Sequence, residues 1–254
     1  MTLRIKLVCI TLILFITGCT EKDEFTRPVN INLKISFIRS FTNYFEFTEG
    51  RIGVQRIRFE GKREAGGDVF FETDTKADFP TLEFVGQQEA AKVSSFEIPQ
   101  GIYTNMKWDI NLKEIVNDEL IYDDDTDSLN KGLIIKGDYL YDDWWIWGDE
   151  PPPENWIPSI PFIFSVDYTE RFSFSSFFPD PNSNEVLTDN KDYEVILLLN
   201  LAYAFDSISR ESFEEAEISG DSEHPVVIIS SNKNKYLYEI ILHRLDLSTS
   251  VYVY

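Results

Sequence analysis

Val29, Ile31, Leu33, Ile35 and Phe37 alternate with Asn30, Asn32, Lys34 and Ser36. Successive side chains point to opposite faces only in an extended strand, so this spacing sets five apolar groups on one face and polar groups on the other. Such a strand needs cover on one side, and the same period recurs down the chain. Ile52 and Val54 open a second alternation that slips at Gln55-Arg56 and resumes at Ile57 and Phe59, as a β-bulge requires. Ala65-Gly66-Gly67-Asp68 predicts a turn into Val69-Phe70-Phe71. Pro99-Gln100-Gly101 leads into a one-face strand read from Ile102, Met106, Trp108, Ile110 and Leu112. Phe162, Phe164, Val166 and Tyr168 repeat the pattern, as do Phe172 and Phe174, while the run 195–199 is apolar on both faces and predicts a central strand.

Short alternating strands bounded by Gly, Pro, Asn and Asp predict a mostly β chain, an antiparallel β-sandwich. The main helix is expected late, where Ser231 or Asn232 can cap a run from about Lys233 to Leu245. In that run Leu237, Ile240, Ile241 and Leu245 form a stripe at helical spacing. A last strand is expected over 251–254, and a short helix within 203–213.

The N-terminus carries Arg4 and Lys6, then an apolar stretch from Leu7 to Ile16. That stretch is too short to span a bilayer and fits the apolar region of a secretory signal. Ile16-Thr17-Gly18-Cys19 resembles the lipobox of bacterial lipoproteins. The resemblance implies a signal peptide over 1–18, acylation of the Cys19 sulfur, and a mature chain beginning at that lipidated cysteine. Residues 19–28 then read as a polar tether, and several acyl chains on one residue give firm attachment where a single chain would be marginal. Lys22-Asp23-Glu24 resembles the short signal that accompanies export to the outer face of the outer membrane in Bacteroidota-type lipoproteins. The expected location is the outer membrane, by lipid, at the cell surface.

Loss of Arg4 and Lys6 with the leader lowers the basic count from 23 to 21 against 44 acidic residues, for a net charge of −23. Such a surface repels nucleic-acid phosphate and anionic headgroups, so no nucleic-acid partner is expected and the membrane is met only through lipid. Cys9 leaves with the signal peptide and Cys19 is alkylated, so no thiol remains for a disulfide or a metal. The fold must hold by its core. A chain of this length that is 43% apolar has enough for one domain over 29–254, or for two tightly packed β lobes.

Several local motifs carry a wider resemblance. Glu49-Gly50-Arg51-Ile52, the stretch from Phe59 to Asp74, Ile98-Pro99-Gln100-Gly101-Ile102-Tyr103, and the closing Lys235-Tyr236-Leu237-Tyr238-Glu239 with Arg244-Leu245-Asp246 are similar to uncharacterised Bacteroidota outer-membrane lipoproteins with a prealbumin-like β-sandwich. Their fold would be prealbumin- or immunoglobulin-like with one C-terminal helix. The likeness supplies no catalytic residues, and the segment from about 139 to 161 stands outside it as an insertion.

Catalytic chemistry is sparse. A serine nucleophile needs a base within hydrogen-bond reach, and the only histidines are His224, before Pro225 in an acidic loop, and His243, off the apolar stripe of the predicted helix. No glycine-rich phosphate loop occurs. Asp123-Asp124-Asp125-Thr126-Asp127 and Asp180, Asn182, Asn184 space oxygen groups as a calcium loop does. Ser128 and Ile134 stand where the first would need Gly and Glu, and Glu185 and Lys191 fill those places in the second. No catalytic, cofactor or metal residue is therefore assigned, and the chain is expected not to be an enzyme.

One segment invites a partner. Between Tyr139 and Phe178 lie 13 aromatic residues in 40, among them Trp144, Trp145, Trp147 and Trp156, flanked by acidic residues and by Pro151-Pro152-Pro153. Indole faces stack on sugar C–H groups and dominate protein contacts, so these four tryptophans are the candidate ligand contacts. They could instead fold back to seal one end of the sandwich. The expected function is a non-enzymatic binding or adhesion module for a glycan or protein ligand. The alternatives are a subunit of a fimbria-like surface assembly, recognisable by high-mass polymers on an unboiled gel, and a glycan hydrolase working with two carboxylates.

Overall fold

Period two governs what forms. The computed structural model describes residues 27–39, 44–74, 77–85, 90–115, 130–141, 159–177, 185–189 and 191–254. Strand β1 (Pro28–Ile38) buries Val29, Ile31, Leu33, Ile35 and Phe37, the five residues whose spacing predicts it. With 58% of the described residues in strands and 13% in helices the protein is mostly β.

Among the described residues the strands form three sheets. The first runs β15 (Ser250–Val253), β12 (Tyr193–Asn200), β1, β6 (Ala91–Pro99). The second runs β10 (Arg171–Phe177), β7 (Gly101–Leu112), β3 (Val54–Arg63), β4 (Val69–Glu72), with β11 (Glu185–Leu187) also on β7. The third runs β13 (Ile218–Ser219), β14 (Val226–Ile229), β9 (Ser159–Asp167), β8 (Lys131–Leu140), β2 (Phe45–Ile52), β5 (Leu82–Val85). The pairing is not wholly antiparallel as expected. β1 runs parallel to β12, and β9 parallel to β14. Parallel neighbours need long crossovers, and the chain supplies them with the many residues between each pair.

All three sheets feed one apolar core. Phe71 and Phe96, ring centroids 4.7 Å apart, join the second sheet to the first, and Phe37 meets Phe84 at 4.5 Å to join the first to the third. The chain changes sheet at Gly53, between β2 and β3, where a Cβ would stand 2.4 Å from the Lys113 carbonyl oxygen. The bulge expected near Gln55-Arg56 is present, as a register shift between Val54 and Arg56. The turn 65–68 also forms, with Gly66 and Gly67 at φ 83° and 76°, a conformation that L side chains resist.

Two strand phases differ from expectation. Ile102 lies on the exposed side and Tyr103 is buried, because a second shift between Lys62 and Arg63 leaves Thr104 without a partner and inverts the face of everything before it. Tyr168 falls beyond the end of β9 and is exposed.

The late helix also starts differently. Helices α1 (Leu201–Phe205) and α2 (Arg210–Glu214) fill the stretch where one short helix is expected. Helix α3 spans Lys235–Leu247, and its cap is Asn234 in the left-handed region, not Ser231 or Asn232. The Asn234 amide instead donates to the carbonyls of Glu217 and Ile228 and accepts from the Glu217 N–H, which clamps the helix start to its neighbours. Tyr238 joins Leu237, Ile241 and Leu245 on the buried face, while Ile240 is only half-buried.

Candidate functional site

The third sheet has two faces of different character. Phe45, Phe47, Tyr139, Phe162 and Phe164 point to the shared core. On the opposite face Ile134, Ile163, Val226 and Ile228 form a separate apolar cluster with Ile115. Over this outer face opens a cavity of about 610 Å³, a size common for small-molecule sites.

Four local devices build it. β2 carries a bulge: Phe47 pairs with Gly137 and Glu49 with Lys136, so Thr48 has no partner and its side chain is free to line the cavity. Gly137 makes the bulge possible, since a Cβ there would stand 2.2 Å from the Glu46 carbonyl oxygen and 2.7 Å from the Phe162 ring. Along β8, Lys136 and Asp138 alternate outward and reach the cavity, as Pro161 and Ile163 do on β9. The fourth wall is the turn before β14.

That turn is set by its own residues. Gly220 has φ 85°, and a Cβ would meet the His224 carbonyl oxygen at 2.2 Å. Asp221 Oδ1 accepts the backbone N–H groups of His224 at 2.7 Å and Glu223 at 2.8 Å. These two bonds hold the Asp221 carboxyl below its ordinary range. Ser222, Glu223 and His224 are thereby carried to the cavity wall.

The lining mixes charge with an apolar shelf. Lys136 Nζ lies 3.6 Å from Glu49 Oε2, and Arg51 Nε lies 2.6 Å from Glu49 Oε1, so the cation on the floor is balanced from the side. Asp138 has no ion pair or side-chain hydrogen bond among the described residues, and its cross-strand neighbours are Glu46 and Pro161. The shelf is Pro161, Ile163 and Val226.

At the far end of the same strands Lys131, almost fully buried, lies 2.7 Å from Asp167 Oδ1, and the Ser231 hydroxyl donates to Asp167 Oδ2 at 2.7 Å. Burial alone would raise the Asp167 carboxyl. The hydrogen bonds from Lys131 and Ser231 and the Lys131 charge outweigh it and hold that carboxyl below its usual range. Tyr139, at the cavity end of β8, stacks on Phe213 at 4.3 Å and donates to Glu214 Oε1, and burial raises its hydroxyl well above the ordinary phenol value.

Cys19, Trp144, Trp145, Trp147 and Trp156 lie outside the described residues, as do the acidic loops 123–127 and 180–184. The strands themselves run further than expected into the aromatic insertion, for Leu140 pairs with Ser159 and both belong to the sheet. Residues 142–158 therefore join two adjacent strands, and Ser159, where the chain returns, lines the cavity. His243 is exposed on α3, and His224, read as a loop residue, is brought to the cavity. No sequence pattern singles out Thr48, Lys136, Asp138 or Glu223, because their meeting depends on strand order and on a bulge. Among the described residues no group of three or more His, Cys, Asp and Glu is placed to hold a metal ion, and no helix is long and apolar enough to cross a membrane. Comparison with protein-family models, with curated proteins and with solved structures finds no match.

Proposed function

We propose that this chain is an outer-membrane lipoprotein, displayed at the cell surface through acyl chains on Cys19, whose domain is a non-enzymatic binding or adhesion module for a glycan or protein ligand. The domain is a β-sandwich of the prealbumin or immunoglobulin type, elaborated by a third sheet. The observation that carries the reading is the cavity on the outer face of the third sheet, with its apolar shelf and its ring of polar groups. Its position adds weight. Strands β8 and β9, which flank the Trp144, Trp145, Trp147 and Trp156 segment in the sequence, pair as far as Leu140 and Ser159, and Ser159 is a residue of the cavity wall. The strong negative charge suits a soluble surface domain and disfavours nucleic acid. The test is adhesion of the full chain to immobilised glycans and to immobilised proteins, with Trp144, Trp145 and Trp147 replaced together by Ala. Loss of adhesion at native stability supports the module, and unchanged adhesion removes the tryptophans from it.

A carboxylate-based glycan hydrolase is the second reading, favoured by one contact. Glu46 and Asp138 are direct cross-strand neighbours at the cavity edge, where Cβ atoms lie about 5 Å apart. Reducing-sugar release that disappears in Asp138→Asn would replace the binding module with this reading.

A further inference from the structure

The cavity on the outer face of the third sheet has a chemistry that narrows its ligand. Pro161, Ile163 and Val226 supply the apolar part of its lining, which suits a C–H surface and not a phosphate or a carboxylate. Asp138 and Glu223 are acceptors, with no ion pair or side-chain hydrogen bond among the described residues. Vicinal hydroxyls present paired donors to such carboxylates, and charge-assisted bonds of that kind are the strong ones. Thr48, Ser159 and Ser222 add hydroxyls that donate or accept as needed, and Lys136 adds a donor already balanced by Glu49.

Charge decides between ligand classes. Two carboxylates face one ammonium in the lining, Glu49 sits behind that ammonium, and the whole chain carries −21. An anionic ligand meets the net negative field of the chain and two carboxylates against the single ammonium of the lining. A cationic ligand must sit beside the Lys136 ammonium on the floor. A purely apolar ligand would desolvate Asp138, Glu223 and Lys136 without returning a hydrogen bond to any of them, which is costly. A neutral molecule with one C–H face and a rim of hydroxyls satisfies all of these groups together, and about 610 Å³ accommodates one or two sugar rings.

We infer that this cavity binds a neutral saccharide, with Pro161, Ile163 and Val226 under the ring and Asp138 and Glu223 on its hydroxyls. The inference rests on the binding-module reading and names the ligand class and the residues that read it. The cavity prefers neutral hexose units over uronic acids, sulfated sugars and amino sugars, and the preference resides in two carboxylates that belong to different parts of the fold. Asp138 is fixed by strand β8, and Glu223 by the Gly220–Asp221 turn.

A glycan array holding neutral, uronic, sulfated and amino-sugar oligosaccharides, probed with the full chain in detergent, tests this. Expected is binding to neutral glycans alone, weakened at least tenfold by Asp138→Ala and by Glu223→Ala, with thermal unfolding unchanged in both. Glu223 sits on an exposed turn, so its variant reads the site even if Asp138→Ala disturbs the sheet. Preference for amino sugars would make the cavity a cation site and overturn the assignment, as would preference for acidic sugars. Neutral binding that survives both carboxylate variants but fails in the triple tryptophan variant would overturn the cavity assignment and leave the module standing. Silence across the array together with loss of all protein adhesion would remove both.

Discussion

At the scale of single residues, two positions show how burial and charge were traded in the third sheet. Gly137 has no side chain because the space is taken: a Cβ would overlap the Glu46 carbonyl oxygen at 2.2 Å and the Phe162 ring at 2.7 Å. The backbone clash cannot be relieved by a rotamer change. Gly137→Ala should therefore destabilise by about 2 kcal/mol or more and disturb the Thr48 bulge, measured as a lower urea midpoint. Asp167 is the complementary case. Its folded carboxyl is depressed, so its contribution is fully present above the unfolded value of about 3.9 and is lost as pH falls through the lower folded value. Asp167→Asn takes the charged partner from Lys131, which is almost fully buried, and should cost about 3 kcal/mol near neutral pH. The gap between wild type and variant should narrow only below about pH 4. A gap of constant size down to pH 2 would mean that the carboxylate charge contributes nothing. Neither residue announces itself in the sequence, since a glycine and an aspartate in a strand region have many ordinary uses.

At the scale of elements, helix α3 and the bulged strands carry the site in different ways. The helix docks through Leu237, Tyr238, Ile241 and Leu245, and its start is held by Asn234, which ties it to Glu217 and to Ile228 on β14. Because β14 begins at Val226, on the cavity wall, this clamp also steadies the wall. Asn234→Gly keeps the left-handed backbone at φ 48° but removes the three hydrogen bonds. The expected cost is about 1–3 kcal/mol in the unfolding free energy, with faster hydrogen exchange at Glu217 and in the first turn of the helix. Native exchange rates there would show that packing alone places the helix. The stripe at helical spacing was visible beforehand in Leu237, Ile241 and Leu245. The cap was not, because Ser231 and Asn232 have suitable side chains and only the position of Glu217 and β14 decides which residue turns the chain. The bulge at Val54/Arg56 was equally visible, since apolar residues lie on both sides of the slip and only one register buries them all. The bulges at Thr48 and Thr104 left no such trace.

At the scale of the whole molecule, three sheets close on one core, and the face turned away from that core holds the cavity. In the proposed attachment, acyl chains on Cys19 hold this body at the membrane. Cells fed a radioactive fatty acid should label the wild-type chain and not Cys19→Ala, and the variant should leave the membrane fraction. Label retained by Cys19→Ala would place the acyl chain elsewhere or refute it. What the sequence determined by itself was whatever depends on neighbours within a few residues: the period-two strands, the glycine turn at 65–68, the late amphipathic helix, and a class that is mostly β. These follow from local geometry, because one face of each strand must be apolar to be buried. Tertiary structure alone decided which strands adjoin, including the parallel pairs β1 with β12 and β9 with β14, and the division into three sheets. It also decided the site. Thr48, Asp138, Ile163 and Glu223 are far apart in the chain and meet because strand order, a bulge and a turn place them on one face. Pairing partners are chosen by the sum of many weak contacts across the core, and no short stretch of sequence contains that sum.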